Sequence, residues 1–118
     1  MDDWTATNLE TVVSDDYDLN MRLEAAVSLA GSADEGVANT LKEFLLEQNA
    51  PFDLLVEVSA SLAMIWCDLD SFDPKFLIGL EFEECLEAMA EVQWRVSPAI
   101  ALIILVFLAI PLSKSSPR

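Results

Sequence analysis

The side chains best suited to acid–base or metal chemistry are four glutamates, here called the acidic stripe: Glu81, Glu84, Glu87 and Glu91. Their spacing of three and four residues places them on one helix face. The sequence has no histidine and no clustered glycines, and Cys67 and Cys85 fit neither a redox nor a zinc spacing. A carboxylate–metal enzyme is therefore the weakest hypothesis, and we expect no enzymatic activity, cofactor or metal. A functional acidic stripe would suit the docking of lysine or arginine side chains.

The charge of the chain is strongly acidic. Its 118 residues include 21 acids and six bases, for a net charge of −15, and all the acids lie within residues 1–95. Nucleic acids and anionic membranes require cationic clusters, so we exclude them as partners of residues 1–95. A protein with a basic face is the expected partner, because complementary charge accelerates association. Charge that serves only solubility is the alternative interpretation.

The two cysteines are too few for a disulfide scaffold and predict buried free thiols in a reducing compartment. The N-terminus has no basic, apolar leader. We therefore expect a cytoplasmic protein.

Apolar residues recur at helical spacing along most of the chain, which predicts an all-α fold of about five helices. The predicted helices are 19–30, 33–48, 52–66, 74–92 and 95–108. Residues 1–18 are interpreted as an acidic N-terminal arm, within which residues 8–13 suit a short helix. Residues 19–112 then form the helical domain, and residues 113–118 form a C-terminal tail.

The starts of the first two of these helices have capping residues. Asp16 or Asp18 is expected to cap the first helix, and Ser32 with Glu35 matches a capping box for the second. The apolar face of each helix is expected to be buried. The predicted core consists of Met21, Ala25, Ala26, Leu29, Val37, Leu41, Phe44, Leu45, Leu54, Leu55, Val56, Val58, Ala60, Leu62, Ala63, Ile65, Trp66, Phe76, Leu77, Leu80, Cys85, Leu86, Met89 and Trp94.

One helical pattern occurs three times. Residues 21–31 read MRLEAAVSLAG, and residues 54–64 and 94–104 echo this pattern at intervals of 33 and 40 residues. Such intervals are typical of stacked helical repeats. The acidic turn, the hydrophobic–arginine pair, the alanine pair and the Leu-Ala-Gly end of residues 16–31 resemble the second-helix half of a HEAT repeat. The resemblance covers roughly residues 16–108, although Leu55, Ser59 and Pro98 depart from the pattern.

The resemblance implies a short right-handed α-solenoid of antiparallel helix pairs, in which residues 34–66 and 74–108 are whole units. It also implies a protein-binding scaffold whose second helices line a concave surface. We therefore assign partner binding to charged residues of these helices, Arg22, Glu24 and Glu57, together with the acidic stripe.

Residues 96–112 allow two interpretations. The 18 residues between Arg95 and Lys114 carry no charge, and residues 99–112 are apolar throughout. They fit the closing solenoid helix, with Ser97 as its cap and the possibility of self-association. They also fit a membrane anchor, which would be short because a span needs about 20 apolar residues.

The first hypothesis for the whole chain is a scaffold or adaptor for a basic partner, with an inhibitor or immunity-type role as a narrower form. The second is a tail-anchored membrane protein with an acidic helical head.

Overall fold

The computed structural model describes residues 2–47, 49–80 and 82–108. These residues form seven helices and no strand: α1 (Asp3–Val13), α2 (Leu19–Leu29), α3 (Glu35–Glu47), α4 (Phe52–Leu69), α5 (Pro74–Ile78), α6 (Glu83–Val96) and α7 (Pro98–Leu108). The all-α prediction is confirmed. The expected number of about five helices was too low, because a helix forms within residues 1–18 and the predicted helix 74–92 divides in two.

The N-terminal segment folds as α1. The Asp2 carboxylate accepts a hydrogen bond from the Thr5 amide at 2.7 Å, which caps the helix several residues before the predicted start at residue 8. Val12 near its end is completely buried and belongs to the main core. α1 therefore packs against α2.

The two predicted caps have different outcomes. Asp18 caps α2 as expected, because its carboxylate accepts from the Met21 amide at 2.9 Å. The capping box at Ser32 was wrong, since the Asp34 carboxylate accepts from the Gly36 and Val37 amides and α3 begins at Glu35. The physical reason is a turn at Ala33, whose φ of 47° carries the chain away from helical geometry until Asp34.

Helix α4 lies at the centre of the fold. It packs against α2, α3 and α6, as its nearly uniform apolar composition predicts. The helix continues three residues beyond the predicted end at residue 66 and stops at Asp70, which adopts the left-handed conformation that aspartate tolerates. Trp66 is buried, with its ring edge-to-face against Phe72 and Phe76 at 5.5 and 5.9 Å.

The predicted helix 74–92 is interrupted after Ile78. Leu80 is buried in the core, and Phe82 packs edge-to-face against Phe52 with the ring centroids 5.3 Å apart. Gly79 permits a close approach here, since an added Cβ would lie 2.6 Å from Leu46 Cδ2. The chain thus leaves helical geometry where Leu80 enters the core and the partly buried Phe82 packs against Phe52. The described residues of the acidic stripe, Glu84, Glu87 and Glu91, lie on α6.

Most of the predicted core is confirmed. The exceptions are Met21 and Trp94, whose side chains are 47 % and 54 % exposed. In each case the neighbouring polar residue, Arg22 or Gln93, points inward and forms buried hydrogen bonds instead. Val56 and Ala60 on α4 are only partly covered.

The helices pack in a consistent order. α1 packs on α2, α3 on α4 and α7 on α6, while α2 and α6 both contact α4. Ser97 alone connects α6 to α7. α7 therefore begins at Pro98, directly after Ser97, the residue predicted to precede this helix. The resemblance implies that second helices lie side by side, which would place α7 next to α4, but α6 is the helix that packs on α4.

Helix α7 has a buried and an exposed side. Ala101 and Ile104 are completely buried, whereas Leu102 and Val106 are each 54 % exposed. Within the ranges described, no helix combines the length and apolar character needed to cross a bilayer. Residues 109–118, which include the end of the proposed anchor and the predicted tail, lie outside the described residues.

Candidate partner-binding groove

The contact between α4 and α6 is held by a buried amide. Gln93 is completely buried, and its Nε2 donates to the Ala63 carbonyl at 3.1 Å. Its Oε1 accepts from the Cys67 thiol at 3.2 Å. Because a buried amide is costly when it is left unpaired, these two bonds favour one register of α6 along α4.

A groove runs beside this contact, with a volume of about 400 Å³. Its lining from α4 consists of Val56, Glu57, Ala60 and Met64. Its lining from α6 consists of Ala88, Glu91, Val92, Arg95 and Val96. Small and β-branched side chains form the floor, since Ala60, Ala88 and Val92 are partly buried. Met64 is more exposed, and methionine adapts its shape readily to an apolar ligand.

The rim of the groove carries Glu57 on α4 and Glu91 on α6. Arg95 lies 3.9 Å from Glu91, but both side chains are more than three-quarters exposed. An ion pair in this setting contributes little to stability. Both partners are therefore free to exchange it for charges on another molecule, and the groove combines an apolar floor with a predominantly acidic rim.

The acidic stripe is partly associated with this groove. Glu91 lines it, and Glu87 lies one helical turn before Glu91 on α6. Glu84 lies one turn before the groove residue Ala88. Both Glu84 and Glu87 are exposed, so they extend the acidic surface towards the start of α6. Glu81 lies outside the described residues.

The residues assigned to the second helices are separated. Glu57 lines the groove, whereas Glu24 is exposed on α2 beside Leu23 and Val27. Arg22 is only 6 % exposed and donates from Nε to the Val12 carbonyl at 3.0 Å. The structure therefore brings Glu57 and Glu91 to one groove and leaves Arg22 and Glu24 elsewhere.

The apolar lining of the groove was missed at the sequence level. Val56 and Ala60 were assigned to the core, and Ala88 and Val92 were not assigned. A signal was present, because α4 has more apolar faces than its neighbours can cover, and Ala88 and Val92 are spaced four residues apart on α6. What periodicity does not reveal is which helix lies beside α4.

Both cysteines are free thiols near the α4–α6 contact. Burial raises the pKa of Cys67, and the nearby charge of Asp68 raises it further. Burial likewise raises the pKa of Cys85, partly offset by a hydrogen bond with Ser59. Both thiols are therefore protonated at neutral pH, which matches the role of Cys67 as a donor to Gln93.

The described residues contain no group of three or more histidine, cysteine or acidic side chains arranged to hold a metal ion. Comparisons of the chain with protein-family models, curated proteins and solved structures find no match. We therefore infer function from the geometry and charge of the groove.

Proposed function

We propose that the protein is a non-enzymatic binding scaffold or adaptor, and that the α4–α6 groove receives a segment of a basic partner protein. The observation that carries this proposal is the combination of the apolar floor at Ala60 and Ala88 with the acidic rim at Glu57 and Glu91. An amphipathic helix that places apolar side chains on the floor and lysine or arginine at the rim would complement both features.

The helix order supports a HEAT-like interpretation of the fold. The helices of each pair, α1/α2, α3/α4 and α6/α7, are in contact. Helix α4 of the second pair also contacts α2 of the first pair and α6 of the third. In this interpretation the chain is a short right-handed solenoid of antiparallel pairs. The third unit is turned so that α6 packs on α4, which creates the groove. A cytoplasmic location and an inhibitor or immunity-type role belong to the same proposal.

A pair of designed peptides tests the proposal. One is a helical peptide with a leucine stripe flanked by lysines, and the other has glutamate in place of every lysine. We expect the lysine peptide to bind the full-length protein and the glutamate peptide not to bind. Glu57→Gln with Glu91→Gln removes both rim charges and weakens binding by about 2- to 30-fold, because each of the two exposed charge pairs that are lost contributes about 0.2–1 kcal/mol.

The control changes two exposed acids outside the groove, Glu10→Gln with Glu24→Gln, and therefore gives the same reduction in total charge. Equal loss of affinity in the two variants would show that overall charge, and not the groove, attracts the peptide. Equal binding of the two peptides would contradict a basic partner.

The exposed side of α7 supports a second candidate function, membrane anchoring through residues 96–112. Leu102, Ile103, Leu105 and Val106 are large apolar side chains that remain exposed. Fractionation of cells that express the full-length protein tests this candidate. Recovery in the membrane fraction, abolished by Leu102→Glu with Val106→Glu, would support an anchor, whereas recovery of the unaltered chain in the soluble fraction would contradict it.

A further inference from the structure

A second cleft lies between the α1–α2 turn and α3, with a volume of about 330 Å³. Arg22 lines this cleft, although only 6 % of the residue is exposed. The Arg22 Nε donates to the Val12 carbonyl at 3.0 Å, and the guanidinium carbon lies 5.9 Å from the centre of the Phe44 ring. These contacts hold the guanidinium in a fixed orientation.

No carboxylate in the described part of the chain lies within ion-pair distance of Arg22. The hydrogen bond to Val12 uses one of the five guanidinium donors. The ion pairs among the described residues are Lys42–Asp73 and Glu91–Arg95, and neither includes Arg22. Neither Nη atom of Arg22 is a buried donor without a partner, and Arg22 lines the cleft. The two Nη groups therefore retain the capacity to bind an anionic group that enters the cleft.

The rest of the cleft has the opposite charge. Asp15, Glu43 and Glu47 line it, and all three side chains are exposed. An inorganic anion would meet three carboxylates before it reached Arg22, and a simple cation would leave Arg22 unpaired. A ligand that carries both charges avoids both penalties, provided that its anionic group reaches inward and its cationic group stays near the carboxylates.

We propose that this cleft binds a zwitterion with a carboxylate and a neighbouring cationic group, as found in a free basic amino acid or at the C-terminal basic residue of a peptide. The carboxylate accepts two parallel hydrogen bonds from the Nη groups of Arg22, the geometry that a guanidinium favours. The cationic group faces Glu43 and Glu47. The cleft volume lies near the lower limit of small-molecule sites, which suits a single amino acid residue. The inference is independent of the α4–α6 groove.

Calorimetry with L-lysine, L-lysinamide and the tripeptide Gly-Gly-Lys tests the inference on the full-length protein. L-lysinamide keeps the cationic groups and lacks the carboxylate. We expect L-lysine or the tripeptide to bind at millimolar concentration, and L-lysinamide to bind at least about tenfold more weakly, since hydrogen bonds between charged groups are the strong ones. Binding of the tripeptide alone would identify a peptide C-terminus as the source, and binding of L-lysine would identify the free amino acid.

Two variants locate the binding. Arg22→Lys keeps the charge but removes the paired donors, and we expect it to remove the preference for L-lysine over L-lysinamide. Because a change at Arg22 also disturbs the fold, Glu43→Gln with Glu47→Gln provides a second test at exposed positions and should weaken binding severalfold. Asp68→Asn with Glu83→Gln, two exposed acids outside both clefts, is the matched control and should leave binding unchanged. No binding of any probe by the unaltered protein, equal binding of L-lysine and L-lysinamide, or equal loss in the control would overturn the inference.

Discussion

Replacement of Gln93 is expected to weaken the contact between α4 and α6. Gln93→Ala removes the hydrogen bonds to the Ala63 carbonyl and the Cys67 thiol and leaves space where a completely buried side chain was. Each lost hydrogen bond costs about 0.5–1.5 kcal/mol, and the removed methylene contributes about 0.8 kcal/mol. The free energy of unfolding should fall by about 2–4 kcal/mol in total, which is a large part of the 5–15 kcal/mol typical of a domain.

Gln93→Met separates hydrogen bonding from packing. Methionine fills a similar volume but cannot donate to Ala63, so we expect a loss of about 1–2 kcal/mol, smaller than for alanine. Urea unfolding followed by Trp66 fluorescence measures both changes, because Trp66 is buried near the end of α4. The exposed tryptophans are replaced beforehand by Trp4→Phe and Trp94→Phe.

Glu87→Ala on the exposed side of α6 is the control and should stay within about 0.5 kcal/mol. The contradicting result is a Gln93→Met variant as stable as the unaltered protein together with a cost below about 1 kcal/mol for Gln93→Ala. That result would mean that the buried amide does not fix the packing of α6 on α4.

Three further predictions concern stability. Asp18→Ala removes the cap of α2 and should cost about 1 kcal/mol in urea unfolding, and Asp18→Asn should restore most of it. Asp73→Asn removes the ion pair with Lys42 at 3.1 Å and should cost less than about 1 kcal/mol, because both side chains are partly exposed. Burial raises the pKa of Asp73, but the hydrogen bond and charge of Lys42 more than offset this and hold the pKa below its usual value of 3.8. The stabilisation from this ion pair should therefore be complete above pH 3.8 and disappear as the pH falls through the pKa of the folded state. A difference in unfolding free energy between Asp73→Asn and the unaltered protein that stays the same at low pH would contradict this. Burial raises the pKa of Cys85 above the ordinary thiol value of 9.0, so the unfolded chain loses this proton first and stability should fall as the pH rises through that value. The slope from Cys85 is at most about 1.4 kcal/mol per pH unit, and equal alkaline slopes for the unaltered protein and Cys85→Ala would contradict its burial.

The sequence was sufficient to predict the helical class and most of the buried residues, because apolar spacing reports which face of a helix is covered. It did not predict the break after Ile78, because Leu80 fits a helical pattern equally well. The chain leaves helical geometry there because Leu80 is buried in the core and Phe82 packs against Phe52, which spacing along the chain does not reveal. Met21 and Trp94 were misassigned for a related reason. An adjacent polar residue with a buried hydrogen-bond partner displaced each of them, and such a partner is visible only in three dimensions.

The two clefts illustrate the same limit. Glu57 and Glu91 were recognised as charged docking candidates, but their proximity depends on α6 packing beside α4. Arg22 was assigned to a partner-binding surface because of its place in the repeat pattern. Its burial over Phe44, and the carboxylates of α3 near it, follow from how α1, α2 and α3 meet and could not be read from spacing along the chain.

The central claim is that the α4–α6 groove binds a basic amphipathic segment. The most direct measurement is the affinity of the lysine-flanked leucine peptide for the full-length protein with Ala88→Trp, which fills the groove floor. The matched control is Ala99→Trp at an exposed position of α7. We predict that Ala88→Trp abolishes binding while Ala99→Trp leaves it unchanged, with both variants retaining the helical content of the unaltered protein. Unchanged affinity in Ala88→Trp would show that the peptide does not occupy the groove and would contradict the claim.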